Sequence, residues 1–246
     1  MFEKNIQAYL RKHGFGTFAP KAVLFDMDGV LYDSMPFHAR AWKESMAHYG
    51  LAMSEADAYA CEGMRGVETI QKLAKAQGRN DIDEEKAKEM YAYKSALFAQ
   101  QGPARKMEGV EDLMRAIVAD GLAIGIVTGS GQHTLLDHLE QAFAGLVFKE
   151  RIVTAYDVSI GKPHPMPYLK GLEKCGVAPN EAIVVENAPL GVRAAVAAGI
   201  FTVAVNTGPL PDKVLLDAGA DILFPSMPAF NEHWKELYRA VNDKVF

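Results

Sequence analysis

The stretch VLFDMDGVLYDS, residues 23–34, decides the fold of this chain. An apolar run leads directly into Asp26 and Asp28, which are separated by one residue and followed by Gly29. Apolar residues without alternation are typical of a strand that is buried on both faces of a parallel sheet. Side chains at positions i and i+2 of a strand lie on the same side, so the two carboxylates can share one pocket. A buried strand therefore ends in a pair of negative charges that needs a compensating partner.

Further apolar runs alternate with helical patterns along the rest of the chain. The runs are residues 21–27, 122–129, 182–187, 201–206 and 221–225, and the helical patterns cover 111–121, 133–143, 166–176 and 190–199. Strands that alternate with helices predict an α/β fold with a doubly wound parallel sheet.

Residues 37–102 interrupt this alternation, because they contain no comparable strand. Helical patterns at 41–50, 66–78 and 83–102 follow one another instead. We therefore expect a helical cap domain at 37–102, inserted into a core domain made of 1–36 and 103–246. The chain crosses between the two domains twice, which permits a hinge. Residues 1–15 have the spacing of an amphipathic helix.

Composition and charge limit the partners of the protein. The chain is 49% hydrophobic and 23% charged, with a formal net charge of −5. The acidic balance argues against nucleic acid or an anionic membrane surface as a partner. Cys61 and Cys175 lack metal-type spacing, and we expect both to be free thiols in a reducing compartment. No uncharged apolar run approaches the ~20 residues of a membrane helix. We expect a cytoplasmic protein that is a monomer or a weak homo-oligomer.

Polar residues follow several of the predicted strands. Asp26 and Asp28 follow the first, Thr128-Gly129-Ser130 follows the second, and Glu186-Asn187 ends another, while a loop at 159–165 contains Lys162. In open α/β sheets ligands bind beyond the carboxyl ends of the strands, so we expect these groups around one crevice. A carboxylate cluster with one lysine suits a divalent metal and a phosphoryl group.

Four segments give the chain a family resemblance. FDMDGVLYDS, VTGS, GKPHP and VVENAPLGVRAAVAAG occur in this order between residues 21 and 210. With them the chain resembles the phosphotransferases of the haloacid dehalogenase (HAD) superfamily, in the β-phosphoglucomutase-like subfamily. The resemblance implies a HAD-like Rossmannoid core, a mobile helical cap, Mg²⁺ as cofactor and a small phosphorylated substrate.

The resemblance also implies roles for individual residues. Asp26 would be the nucleophile that forms an aspartyl-phosphate, and Asp28 would be the general acid and base. Thr128 and Lys162 would hold the transferring phosphoryl group, with Gly129, Ser130 and the hinge residue His38 as further phosphate- or substrate-binding candidates. The magnesium ligands would come from Asp26, Asp28, Glu186 and Asn187.

Two positions depart from the subfamily pattern. Asn187 stands where an aspartate usually binds magnesium, so the site loses one negative charge. Glu62 stands where the mutases have a cap lysine and Gly66 where they have an arginine, with Arg65 one residue away as a substrate-binding candidate. We hypothesise that Glu62 closes onto the metal and replaces the charge that is lost at Asn187. This pattern resembles an inorganic pyrophosphatase branch of the subfamily.

Several alternatives remain open at this point. A small sugar-phosphate phosphatase, a β-phosphoglucomutase and a non-catalytic binding protein on the same fold are each compatible with the motifs. The alternative readings are that Glu62 and Lys162 are solvated surface residues and that the loop after Thr128 is a plain strand-to-helix turn. A nucleotide-binding glycine loop and a zinc-protease histidine pair are both absent from the sequence.

Overall fold

A six-stranded, all-parallel sheet forms the centre of the computed structural model, which describes residues 2–131 and 138–242. The strands lie in the order β3-β2-β1-β4-β5-β6. Their bounds are β1 Ala22–Phe25, β2 Ala123–Val127, β3 Ile152–Val153, β4 Ala182–Glu186, β5 Phe201–Val205 and β6 Ile222–Phe224. The predicted doubly wound parallel sheet is confirmed.

Helices flank the sheet and fill the long connection between β1 and β2. They are α1 Glu3–His13, α2 Met35–His48, α3 Glu55–Ala60, α4 Gly66–Ala76, α5 Glu84–Ala99, α6 Val110–Ala119, α7 Leu139–Ala142, α8 Met166–Cys175, α9 Pro189–Ala197, α10 Asp212–Asp217 and α11 Met227–Asn242. Short 3₁₀ turns at Lys149–Arg151 and Pro179–Glu181 precede β3 and β4. None of the helices in the described ranges is long and apolar enough to cross a membrane.

Four elements were not predicted from the sequence: strand β3 and helices α3, α10 and α11. Strand β3 was not predicted because its two residues are too few for a recognisable apolar run. Helix α3 was also missed, although Ser54 and Asp57 form a capping box at its start. Of the predicted helix at 133–143, residues 133–137 lie outside the described residues.

Helices α2–α5, called the helical insertion below, have a hydrophobic cluster of their own. It contains Trp42, Met46, Ile70 and Met90, and is separate from the clusters that cover the sheet. Capping side chains start two of these helices, since Ser54 and Asp83 each accept a backbone N–H three residues later. The separate cluster supports the domain division at residues 37 and 102, which stays a proposal.

The amino-terminal helix packs on the sheet and covers part of its face. Tyr9 is fully buried, contacts the rings of Phe18 and Phe201, and donates its hydroxyl to the Gly199 carbonyl at 2.9 Å. The amphipathic pattern of residues 1–15 therefore corresponds to a docked helix. Cys61 and Cys175 are both free thiols, as predicted.

Candidate active site

The turn after β1 brings Asp26 and Asp28 to the carboxyl edge of the sheet, next to the end of β4. β1 lies between β2 and β4, where the strand order changes direction. Gly29 has φ of 76°, and a Cβ atom there would lie 2.1 Å from Nδ2 of Asn187 and 3.1 Å from Oε1 of Glu62. Only glycine fits both this conformation and this contact.

Lys162 contacts Asp26, the candidate nucleophile. Its Nζ donates to Oδ1 of Asp26 at 2.6 Å, to Oε1 of Glu186 at 2.7 Å and to the Val127 carbonyl at 3.0 Å. Burial raises the pKa of Asp26 to about 7, and the Lys162 ammonium acts against this rise. For Lys162, the two carboxylates outweigh the effect of burial and raise its pKa. A buried lysine that stays charged beside Asp26 can also hold a phosphoryl oxygen there.

Both carboxylate oxygens of Glu186 are already engaged by the protein. Oε1 accepts from Lys162 and from the Tyr168 hydroxyl at 2.8 Å, and Oε2 accepts the backbone N–H groups of Asn187 and Ala188 at 2.9 and 3.0 Å. Glu186 therefore orients Lys162 and the strand end. Glu186 and Asn187 were both predicted as metal ligands. Of the two, only Asn187 has a side-chain oxygen without a hydrogen-bond partner.

Asp28 is held by Ser34, just before α2, and by His38 of α2, which in turn contacts Lys94 of α5. Its Oδ1 accepts the Ser34 hydroxyl at 2.6 Å and lies 3.0 Å from Nε2 of His38, while Nδ1 of His38 lies 2.6 Å from Nζ of Lys94. An ammonium that donates to Nδ1 leaves the ring proton on Nε2, facing Asp28. Burial would raise the pKa of Asp28, but His38 and Ser34 outweigh it and hold that pKa below its usual value.

Lys94 was not predicted as a functional residue. It is 1% exposed, and its Nζ lies 5.1–5.8 Å from the ring centroids of Trp42, Tyr91 and Phe98. Burial lowers its pKa to about 7, while Asp28 acts in the opposite direction. The signal was present in the sequence, since Lys94 falls in the buried stripe of α5 between Met90 and Phe98.

Glu62, which we expected to close onto the metal, makes a direct hydrogen bond with Asn187. Nδ2 of Asn187 donates to Oε1 of Glu62 at 2.7 Å, and the two residues are 7% and 5% exposed. Oδ1 of Asn187 is the single buried side-chain N or O atom without a hydrogen-bond partner in residues 2–131 and 138–242. Burial raises the pKa of Glu62 well above its usual value, and the nearby carboxylates of Asp26, Glu186 and Asp28 add to this rise.

A small cavity separates the insertion from the strand ends. Its volume is about 50 Å³, and its lining includes Asp26, Asp28, His38, Glu62, Lys94 and Thr128. Gly129 and Ser130 line it too, and Oγ1 of Thr128 accepts the Ser130 N–H at 2.9 Å. A Cβ atom on Gly129 would lie 2.4 Å from the Gly63 carbonyl oxygen, so the insertion rests on this loop.

Arg65 lies outside the cavity lining. Its Nη1 donates to the Ser159 carbonyl at 2.6 Å and lies 3.5 Å from Oε1 of Glu68. The structure therefore gathers all but Arg65 of the predicted site residues at the sheet edge, with Glu186 behind Lys162. Within the described residues, no group of three His, Cys, Asp or Glu side chains has the geometry of a metal site by itself.

Comparisons with known proteins agree with this geometry. The sequence model of haloacid dehalogenase-like hydrolases matches residues 23–205. Hexitol phosphatase A of Escherichia coli is 33% identical over 76% of this chain and 83% of that protein. A phosphorylated carbohydrates phosphatase of Thermotoga maritima is 30% identical over 81% of this chain and 92% of that protein.

A solved structure extends the similarity to nearly the whole chain. It is a Bacteroides vulgatus protein provisionally called a β-phosphoglucomutase, which is 48% identical with a TM-score of 0.94. The match covers 98% of each chain, including the helical insertion and the terminal helices. The motif residues, the parallel sheet and these matches lead to one conclusion: the chain belongs to the haloacid dehalogenase-like hydrolase family.

Proposed function

We propose that this protein is a Mg²⁺-dependent phosphohydrolase that acts through an aspartyl-phosphate on Asp26, with inorganic pyrophosphate as its substrate. The observation that carries the proposal is the buried contact between Glu62 and Asn187, which leaves Oδ1 of Asn187 without a partner beside Asp26 and Asp28. A buried amide oxygen without a partner is costly, and a cation would satisfy it.

The buried charges of the site fit a divalent cation. Four carboxylates converge there, Asp26, Asp28, Glu62 and Glu186, against the two buried lysines Lys94 and Lys162. Mg²⁺ prefers oxygen ligands, and its positive charge would favour the ionised form of these carboxylates, which when all ionised exceed the two lysines by two negative charges. The donors on offer are carboxylate oxygens of Asp26 and Glu62, Oδ1 of Asn187 and the main-chain carbonyl of Asp28.

The first half of the reaction uses Asp26 as the nucleophile. An Oδ atom of Asp26 attacks phosphorus, the bond from phosphorus to the leaving oxygen breaks, and an aspartyl-phosphate forms. Lys162 holds an oxygen of the transferring group and reduces its repulsion from the Asp26 carboxylate. The negative charge of the bound phosphoryl group favours protonation of Asp28, and Asp28, oriented by Ser34 and His38, then gives this proton to the leaving oxygen. When bound, the metal ion supplies positive charge that screens the phosphoryl oxygens from the carboxylates.

The second half returns the enzyme to its starting state. A water molecule attacks phosphorus, its proton passes to Asp28, and the bond between phosphorus and Asp26 breaks to release phosphate. The hydrogen bond from His38 favours the carboxylate form of Asp28, which suits this base role. Closure of the insertion over the site keeps other water molecules away from the intermediate.

Two features favour a compact, highly charged substrate. The cavity of about 50 Å³ is far below the ~300–1,000 Å³ of pockets for larger organic ligands. Lys94 adds one buried cation on the side facing Asp28 and His38, where the leaving group would lie. In pyrophosphate this leaving group is a second phosphate, whose charge Lys94 can pair.

The relatives favour a second candidate, a small sugar-phosphate phosphatase. Two of them are named for phosphorylated hexitols and carbohydrates. A β-phosphoglucomutase activity is a variant of this candidate, supported by the name of the Bacteroides vulgatus protein. Either activity would require the insertion to make more room than the present cavity offers.

Steady-state phosphate release with Mg²⁺ separates the candidates. The substrates are pyrophosphate, hexitol phosphates, hexose 6-phosphates and β-glucose 1-phosphate, the last also assayed for glucose 6-phosphate. Wild type is compared with Glu62→Gln and with Glu85→Gln, an exposed control on α5.

We expect pyrophosphate to lead in kcat/KM by at least ~10-fold, about 1.4 kcal/mol of transition-state stabilisation. Glu62→Gln should remove this lead while Glu85→Gln keeps it. A sugar phosphate that leads in both wild type and Glu62→Gln would establish the second candidate and reject the first.

A further inference from the structure

Side chains at the start of α4 form hydrogen bonds with the backbone of the loop that precedes Lys162. Nη1 of Arg65 donates to the Ser159 carbonyl at 2.6 Å, and the Gly161 N–H donates to Oε1 of Glu68 at 3.3 Å. The same oxygen of Glu68 lies 3.5 Å from Nη1 of Arg65, which closes a small charged cluster. We call Arg65, Glu68 and their two backbone partners the clasp.

The clasp contacts the backbone next to Lys162, a residue of the candidate active site. Gly161 immediately precedes Lys162, whose Nζ is tied to Asp26, Glu186 and the Val127 carbonyl. The same segment of the insertion also approaches the lysine stem, since a Cβ atom on Gly63 would lie 3.1 Å from Cδ of Lys162. The insertion thus contacts both the side chain of Lys162 and the backbone just before it.

Gly161 makes this contact possible because it has no side chain. A Cβ atom there would lie 2.7 Å from Cγ of Arg65, 2.9 Å from Oε2 of Glu68 and 3.1 Å from the Arg65 nitrogen. All three of these atoms belong to the insertion rather than to the loop. The insertion therefore leaves no room for a side chain at Gly161.

We propose that Arg65 and Glu68 are positioning residues, which fix the 159–161 loop, and through it Lys162, when the insertion closes over the site. This inference rests on the proposed phosphohydrolase function. Neither residue lines the catalytic cavity, so both act through the lysine that holds the transferring group. This role explains why the partly exposed side chains of Arg65 and Glu68 contact the 159–161 loop, although Arg65 and Ser159 are 94 residues apart in the chain.

The size of the effect follows from the exposure of the clasp. The side chains of Arg65 and Glu68 are each 31% exposed, so water and salt compete with their contacts. Hydrogen bonds of charged groups in such settings contribute modestly, and loss of one should lower kcat/KM by about 3- to 10-fold. Lost hydrogen bonding should also appear directly at the Gly161 amide.

The test combines amide hydrogen exchange with kinetics on the full chain. The variants are Glu68→Ala, Glu68→Gln, Gly161→Ala and the exposed control Glu85→Ala. Exchange is followed in the peptide that contains Gly161, and phosphate release is measured on the best substrate of the wild type. Melting temperatures verify that each variant is folded.

Glu68→Ala should speed exchange at Gly161 and lower kcat/KM, whereas Glu68→Gln, which keeps an acceptor oxygen, should restore much of both. Gly161→Ala should lower kcat/KM although it removes no polar group. Wild-type exchange and wild-type kcat/KM in both Glu68→Ala and Gly161→Ala would overturn the proposal. The exchange measurement needs no substrate, so a failure of the proposed function would leave the clasp testable on its own.

Discussion

Asn187 donates its Nδ2 hydrogen to Oε1 of Glu62 across 2.7 Å, and this bond joins the end of β4 to the helical insertion. The two residues are 125 positions apart in the chain. An amide and a carboxylate thus occupy neighbouring positions, where the subfamily pattern has an aspartate and a lysine. The acidic side chain of this pair therefore lies on the insertion, and the amide lies at the end of β4.

We predict that the carboxylate of Glu62 and the amide of Asn187 can be exchanged between the two positions. Glu62→Gln alone should weaken Mg²⁺ binding by about 10-fold or more because it removes a charge. Asn187→Asp alone should place two carboxylates side by side and oppose closure. The double variant keeps one carboxylate and one amide, and should recover Mg²⁺ affinity with a coupling energy of at least ~1 kcal/mol. Titration calorimetry with Mg²⁺ measures this cycle, and strict additivity of the single variants would contradict it.

Asp26→Asn should abolish turnover. An amide is a poor nucleophile for phosphorus, so kcat should fall by about 10⁴-fold or more. The isosteric side chain keeps its volume at a position that is 2% exposed, and circular dichroism should be unchanged. Asp33→Asn, an exposed aspartate in the same turn region, is the matched control. Activity above a tenth of the wild-type value in Asp26→Asn would exclude Asp26 as the nucleophile.

Lys94→Met should lower activity and, near pH 6, raise stability. Without the ammonium, His38 loses the partner that orients it toward Asp28, so kcat/KM should fall by about 10- to 100-fold. The exposed residue Lys88 on the same helix supplies the control variant Lys88→Met, which should keep its activity.

The stability of Lys94→Met should depend on pH. The pKa of Lys94 falls from 10.5 to about 7 on folding, so the unfolded chain binds more protons between these values. Wild-type stability therefore rises from pH 7 toward 10.5, and the full penalty of the buried charge is present below pH 7. Lys94→Met should gain roughly 2–4 kcal/mol near pH 6 and nothing near pH 10.5, by urea unfolding. A gain that grows with pH would contradict this assignment.

Asp221 predicts a second pH dependence, far from the active site. Burial raises its pKa from 3.8 to about 6, while the Thr202 N–H and Lys12 act against the rise. The native chain therefore binds more protons than the unfolded chain between pH 4 and 6, and stability falls as pH rises through this window.

Asp221→Asn keeps an acceptor for the Thr202 N–H, which now donates to Oδ2 at 2.8 Å. It should stabilise the protein by about 1–2 kcal/mol at pH 8, less than the full ~1.4 kcal/mol per pKa unit because the side chain is partly exposed. The gain should disappear by pH 4, in thermal unfolding followed at both pH values. Asp217→Asn, on the exposed face of α10, should show neither effect.

Much of the site was predictable because its parts follow local patterns. The predicted residues Asp26, Asp28, Thr128, Glu186 and Asn187 lie at or within three residues of the ends of β1, β2 and β4, and apolar runs marked these three strands. The parallel sheet then brings these ends together without further information. The motif alignment predicted that Glu62 turns toward the metal site, whereas its direct hydrogen bond with Asn187 is known only from the structure.

Local patterns could not decide which groups of the insertion face the strand ends. Lys94 meets His38 across 56 residues, and Arg65 meets Ser159 across 94. A lysine in an apolar helical stripe or an arginine at the start of a helix does not by itself indicate which residue it contacts. Their partners are fixed by how α4 and α5 pack on the core, which no short window of sequence contains.

The sequence by itself determined the α/β fold, the edge of the sheet where the candidate site lies, and the amide at position 187 where the resembling subfamily has an aspartate. Apolar periodicity and strand-end motifs act over a few residues, and both are written directly in the chain. Only the tertiary structure decided that Glu186 is saturated, that Lys94 supports Asp28 and that Arg65 grips a loop instead of the cavity. These relations depend on long-range packing and on competition for hydrogen-bond partners, and such competition is settled only when the whole core is assembled.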